Sequence, residues 1–148
     1  MKERRRMTNK DRLIECLNED LAAELGTIIR YNYQASKIYG LEGMPLRDLL
    51  RGEIEDELGH ASFLSDVIVD LGGEPTIVPK EFDKVDGIKA MLEQDIAMEM
   101  ADVKNYVLHA ELAAELGEAE LKLQLEEFSA DEAGHARELG RILRGFVE

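Results

Sequence analysis

The chain is 148 residues long and carries a formal net charge of −14, with 45% hydrophobic and 34% charged residues, no Trp and three Pro. That length can bury one core, and the profile is that of a helical globular protein rather than a disordered one. The acidic balance argues against nucleic acid as a partner, since phosphate binding needs a positive surface, and the single cysteine, Cys16, excludes an internal disulfide or a Cys-rich zinc or iron–sulfur site.

The opening stretch, "MKERRRM", is locally basic. It reads as a solvated, flexible extension over residues 1–10, with a single domain over 11–148. No secretory signal pattern opens the chain and no run is apolar enough to span a membrane, so the expected compartment is the cytoplasm.

Four segments then repeat apolar residues at alternating three- and four-residue steps, the spacing of one buried helix stripe. The first, predicted over about 10–40, runs Ile14, Leu17, Leu21, Glu24, Ile28, Tyr31, Ala35, Ile38. After "GLEGMP" the second, 45–71, runs Leu46, Leu50, Glu53, Glu57, His60, Leu64, Val67, Leu71. "GGEPTIVP" separates it from the third, 84–116, which runs Leu92, Ile96, Glu99, Val103, Tyr106, Ala110, Ala113. "LGEAE" leads into the fourth, 118–146, with Leu121, Leu125, Phe128, Glu132, His135, Leu139, Ile142, Phe146. The middle connection, of about a dozen residues, suits a crossover along a bundle, and the two short links suit antiparallel hairpins.

Sliding residues 13–73 onto 88–148 leaves 15 positions identical. That number alone is weak, but the unusual polar residues of the stripes are among the matches: Asp20 with Asp95, Glu24 with Glu99, Tyr31 with Tyr106, Asp56 with Asp131, Glu57 with Glu132 and His60 with His135. The chain reads as two copies of one helical hairpin related by a pseudo-two-fold axis.

Each stripe thus carries a carboxylate where a hydrophobe belongs, and no Lys or Arg lies on the stripes. An unpaired buried carboxylate costs several kcal/mol, so four in one core need cations. Two divalent ions balance four glutamates, and Glu-x-x-His places both side chains on one helix face. One Glu from each of two helices plus a Glu-x-x-His from each of the other two is the ligand pattern of di-iron and di-manganese carboxylate bundles.

In order and spacing, "DLAAEL", "DELGHA", "DIAMEM" and "DEAGHA" resemble the motifs of the ferritin-like di-iron family, closest to its bacterioferritin branch, over residues 11–146. The resemblance implies an all-α, ferritin-like four-helix bundle with a long crossover between helices 2 and 3. It implies that Glu24 and His60 bind one metal and Glu99 and His135 the other, with Glu57 and Glu132 bridging. Asp56 and Asp131, four residues before each histidine, are then expected to hold the imidazole rings. For Tyr31 and Tyr106 two readings stand: a hydrogen bond to a ligand carboxylate, or core packing.

Other positions carry less. Glu53 is either an extra acid on an iron route or, the preferred reading, sits at a wet end of the bundle. Asp102 falls where rubrerythrins resembling this pattern have a further glutamate ligand, but its side chain is short for direct ligation. His109 reads as structural, Cys16 as packing, and Gly59 and Gly134 as points of close approach by a neighbouring helix.

Oxygen-rich ligands with one imidazole per metal fit iron or manganese better than calcium, magnesium or structural zinc, with zinc as a substitute. The resemblance implies a ferroxidase that oxidises two Fe(II) with O2 or H2O2 for storage or detoxification. The alternatives are a rubrerythrin-like peroxide reductase with a separate electron donor, or a non-catalytic iron carrier. A homo-oligomer is expected. With 13 residues after His135 a 24-subunit cage is in doubt, and a dimer or dodecameric shell is the expectation. Bacterioferritin haem methionine corresponds to position 58, here Leu58, so haem is not expected there; Met44, Met91 and Met98 leave other schemes open.

Overall fold

The computed structural model describes residues 6–146, and among them the regular structure is four α-helices and no strand. Thr8 starts α1 (Asn9–Ser36) with a reciprocal cap: its hydroxyl accepts from Asp11 N–H, and the Asp11 carboxylate accepts from Thr8 N–H. The helix therefore begins inside the segment expected to be a flexible extension; residues 1–5 of that basic stretch lie outside the described residues. Pro45 in the first turn suits the start of α2 (Met44–Asp70), where its missing N–H costs nothing. α3 (Ile88–Glu115) begins four residues later than the predicted 84, because Gly87 takes a left-handed φ of 90° that breaks helical continuity. α4 (Ala119–Arg144) stops before Phe146, which is exposed rather than continuing the buried stripe. α1 also ends short of residue 40, although Ile38 beyond it is still buried.

The most extensive packing lies within the hairpins α1–α2 and α3–α4, and α2 and α4 touch least. α1 and α3 run antiparallel, as their reciprocal contacts show: Tyr31 meets Glu99, and Tyr106 meets Glu24. The crossover, residues 71–87, lies along α1. The Asn18 amide donates to the Glu74 carbonyl and accepts from Thr76 N–H at 3.0 and 2.8 Å. Lys80 N–H then donates to the Ala22 carbonyl at 2.8 Å. Gly26 makes this seating possible, since a Cβ there would stand 2.5 Å from the Lys80 carbonyl oxygen.

Two apolar clusters fill the ends of the bundle. One gathers Leu13, Leu17, Leu21, Leu64, Ile68 and Leu125; the other Tyr31, Ile38, Leu46, Leu50, Leu92 and Leu139. Each buried leucine contributes about 1.5–3 kcal/mol. The two clusters clamp a polar layer between them. Gly59 and Gly134 do not mark close helix approaches, for a Cβ at either position would meet nothing within 4 Å.

Candidate metal centre

The polar layer holds all six residues singled out by the repeat. Glu57, Glu99 and Glu132 have no exposed surface, and Glu24, His60 and His135 are also buried. Their donor atoms form two overlapping groups in which every atom lies within 4.8 Å of the others: Glu24, Glu57, His60 and Glu132, and then Glu57, Glu99, Glu132 and His135. Glu57 and Glu132 belong to both.

Hydrogen bonding leaves this set unfinished. Both oxygens of Glu57 and of Glu132, and one oxygen each of Glu24 and Glu99, are buried without a hydrogen-bond partner. The imidazoles stand close, His60 Nδ1 at 3.1 Å from Glu132 Oε1 and His135 Nδ1 at 3.2 Å from Glu57 Oε1, without satisfying these oxygens as aligned hydrogen bonds. Orphaned buried acceptors are rare in folded proteins because each forfeits its hydration. Burial pushes the Glu57 carboxyl up to about 8. For His60 burial acts against the charged ring, but Glu132, Asp131 and Glu57 outweigh it and raise the ring to about 9. His135 reaches about 9 in the same way, through Glu57, Glu53 and Glu132. Burial of Glu57 and the crowding of carboxylates around both histidines thus favour a proton on these groups.

The outer contacts cross the dyad. His60 Nε2 donates to Asp131 at 2.9 Å and His135 Nε2 to Asp56 at 3.2 Å, so each ring is held by the aspartate that precedes the other histidine. Both rings turn Nδ1 towards the glutamates. Of the two readings for the tyrosines, the hydrogen bond is present: Tyr31 donates to Glu99 Oε1 and Tyr106 to Glu24 Oε1.

Further out, sequence reasoning missed a buried ionic layer between α1 and α3. Arg30, 1% exposed, donates through Nε to Asp95 at 2.9 Å, and Gln34 donates to the same oxygen. The dyad-related Asp20 meets His109 Nδ1 at 2.6 Å. Burial raises Asp20 and Asp95 to about 6, against the pull of His109 and Arg30 respectively. The aspartates were visible as repeat matches. Arg30 was not, because its counterpart is Asn105 and it lies beside the stripe rather than on it.

Among the remaining positions, His109 is a buried partner of Asp20 outside both donor groups, and Cys16 is half-buried. Asp102 is buried beside Arg30 and Lys80, also outside both groups. Glu53 is not exposed at an end of the bundle but 5% exposed on the wall of a side cleft, and burial raises it to about 7. It lines this cleft of about 520 Å³ between α2 and α4 with Asp48, Asp56, His135, Arg137 and Glu138.

The family description of the ferritin-like domain matches residues 14–146. A bacterioferritin of Rhodobacter capsulatus is 30% identical over 132 residues, covering 87% of this chain and 81% of that one. A ferritin-like, diiron-carboxylate protein from Bacillus anthracis superposes with a TM-score of 0.89 at 40% identity, covering 91% of this chain and 97% of its own. The bacterioferritin of Desulfovibrio desulfuricans, known with its diiron site in different catalytic states, gives 0.83 at 26% identity, covering 92% of this chain and 80% of its own. The chain belongs to the ferritin-like domain family, with bacterioferritins among its relatives.

Proposed function

We propose that the protein is a di-iron ferroxidase of the iron-storage type, acting as a cytoplasmic homo-oligomer, a dimer or a dodecameric shell. The observation that carries this reading is the pair of overlapping donor groups sharing Glu57 and Glu132. Four carboxylates and two imidazoles match two divalent cations in charge and in donor type. The orphaned oxygens are the atoms such cations satisfy. Manganese and zinc are substitutes for iron at the same positions. Leu58 offers only a hydrocarbon side chain, so the reading includes no haem at that position.

Glu24 and His60 would hold one metal and Glu99 and His135 the other, with Glu57 and Glu132 available to both. Two Fe(II) bound there would supply two electrons, enough to reduce O2 to the peroxide level or H2O2 to water. The residues provide the frame for that chemistry. Asp131 and Asp56 accept hydrogen bonds from Nε2–H of His60 and His135, which fixes the rings with Nδ1 inward. Tyr106 and Tyr31 each occupy one oxygen of Glu24 and Glu99, leaving the other oxygen for metal. Protons held by the two histidines and Glu57 leave as cations enter, so uptake is favoured as pH rises. The two apolar clusters keep bulk water out of the layer from both ends.

The test is anaerobic Fe(II) titration of the metal-free chain followed by O2 or H2O2, with iron per chain and particle mass read on one sample. Oxidation with tens of irons retained on a large particle supports storage. Saturation near two irons on a small oligomer that consumes peroxide with an added electron donor favours a peroxide reductase. Iron bound without any oxidation signal leaves a carrier.

A further inference from the structure

The six donors obey the dyad, but two side chains beside them do not. Glu53 of α2 corresponds in the repeat to Phe128 of α4. Phe128 stacks on the His60 ring with centroids 4.1 Å apart and planes at 30°, and Phe63 and Tyr106 pack edge-on against it at 5.4 and 5.7 Å. The His60 flank is therefore aromatic and closed. On the His135 flank the same register position is the buried carboxylate of Glu53, whose Oε2 has no hydrogen-bond partner and which lines the cleft between α2 and α4.

Other dyad-breaking charges carry compensation. Arg30, opposite Asn105 in the repeat, is neutralised by Asp95 at 2.9 Å. His109, opposite Gln34, is paired with Asp20 at 2.6 Å. Asp102, opposite Thr27, faces Arg30 and Lys80. Glu53 makes no ion pair with a lysine or arginine among the described residues, although Arg137 lines the same cleft; the charged groups that act on it most are His135, Glu132, Asp56 and Asp95. A carboxylate beside a dication adds attraction that a phenyl ring cannot, and in a partly water-excluded site that attraction is weakly screened. The cleft also leaves room for water on an incoming ion, whereas the Phe128 stack requires fuller dehydration.

Taking the six donors as metal ligands, as proposed above, we infer that Glu53 and Phe128 make the two metal positions unequal, so that the position of Glu99 and His135 takes a divalent cation first and that of Glu24 and His60 second. The identical ligand sets conceal this order, and it makes Glu53 and Phe128 the residues that specify it.

The test uses Zn²⁺, a diamagnetic ion that perturbs the ring it binds and not both at once, added to the metal-free full chain, followed by calorimetry and by NMR of isotopically labelled histidine. At one equivalent the His135 signals shift or broaden while those of His60 persist, and the isotherm resolves two constants about tenfold or more apart. E53Q, which removes the charge and keeps the shape, brings the constants within about threefold of each other. F128E, which places an acid on the second flank, strengthens the second step. His60 filling first, both rings responding together, or an unchanged gap in E53Q overturns the inference while leaving two bound ions to support the ligand reading. Absence of Zn²⁺ uptake would sink both.

Discussion

Asp131 on α4 receives the Nε2–H of His60 on α2 across the bundle at 2.9 Å, although it stands four residues before His135 in the chain. Its carboxylate orients the ring on the opposite hairpin. Removing such a support costs about 10–100-fold in metal affinity. Asp131→Ala is therefore expected to weaken the Glu24/His60 position more than the Glu99/His135 position, and Asp56→Ala to do the reverse. Competition with a chromophoric Zn²⁺ indicator checks this. If Asp131→Ala weakened the His135 position instead, the crossed arrangement would be wrong.

Stability of the metal-free chain should fall as pH rises. The folded state raises His60 and His135 from 6.5 to about 9, so their contribution is full below 6.5 and disappears as pH passes through 9. Glu57 is raised from 4.5 to about 8, so across that window the unfolded chain ionises while the folded chain keeps its proton. In both cases the folded state binds more protons, which gives a negative slope of stability against pH. Urea midpoints measured from pH 6 to 9 should decrease, and saturating Mn²⁺ should flatten the trend by replacing those protons. A midpoint that rises with pH in the metal-free chain contradicts the reading.

Arg30→Met should be costly because it strands Asp95, which is 1% exposed. Breaking one side of a buried pair costs about 3–5 kcal/mol. Adding Asp95→Asn to Arg30→Met should recover part of that loss, since no bare charge then remains. Chemical denaturation of the two variants reads both effects, and a loss below about 1 kcal/mol in Arg30→Met would show that Asp95 is not held as its burial implies.

Gly26→Ala addresses the crossover. The added methyl would sit 2.5 Å from the Lys80 carbonyl oxygen, a backbone atom that cannot turn aside alone. Overpacking of this kind costs about 1–3 kcal/mol. Limited proteolysis should show faster cutting within residues 71–87, whereas Gly59→Ala, with open space around it, should leave the cutting rate unchanged.

The polar residues of the candidate centre could be found in the sequence because they interrupt apolar stripes at the same register in two copies. Glu24 and Glu99, and the two Glu-x-x-His pairs, stand out for that reason, and the four helices follow from the same periodicity. What depends on side-chain direction was not legible. Asp56 reads naturally as the neighbour of His60 one turn along its own helix, yet with both rings turning Nδ1 inward, Nε2 projects across to the facing helix. Arg30 was hidden because it follows no repeat, and the stacking of Phe128 on His60 was hidden because a phenylalanine on a stripe reads as ordinary core. The boundaries at Gly87 and Phe146 were missed because apolar residues such as Val85 continue a helical-looking pattern through backbone that has already turned.

The central claim is that Glu57 and Glu132 are shared between two metal ions. Anomalous diffraction from crystals soaked anaerobically in Fe(II) tests it most directly. The account predicts two iron peaks inside each bundle, one beside Glu24 and His60 and one beside Glu99 and His135, with both shared carboxylates touching each. A single peak, or iron held away from Glu57 and Glu132, would contradict it.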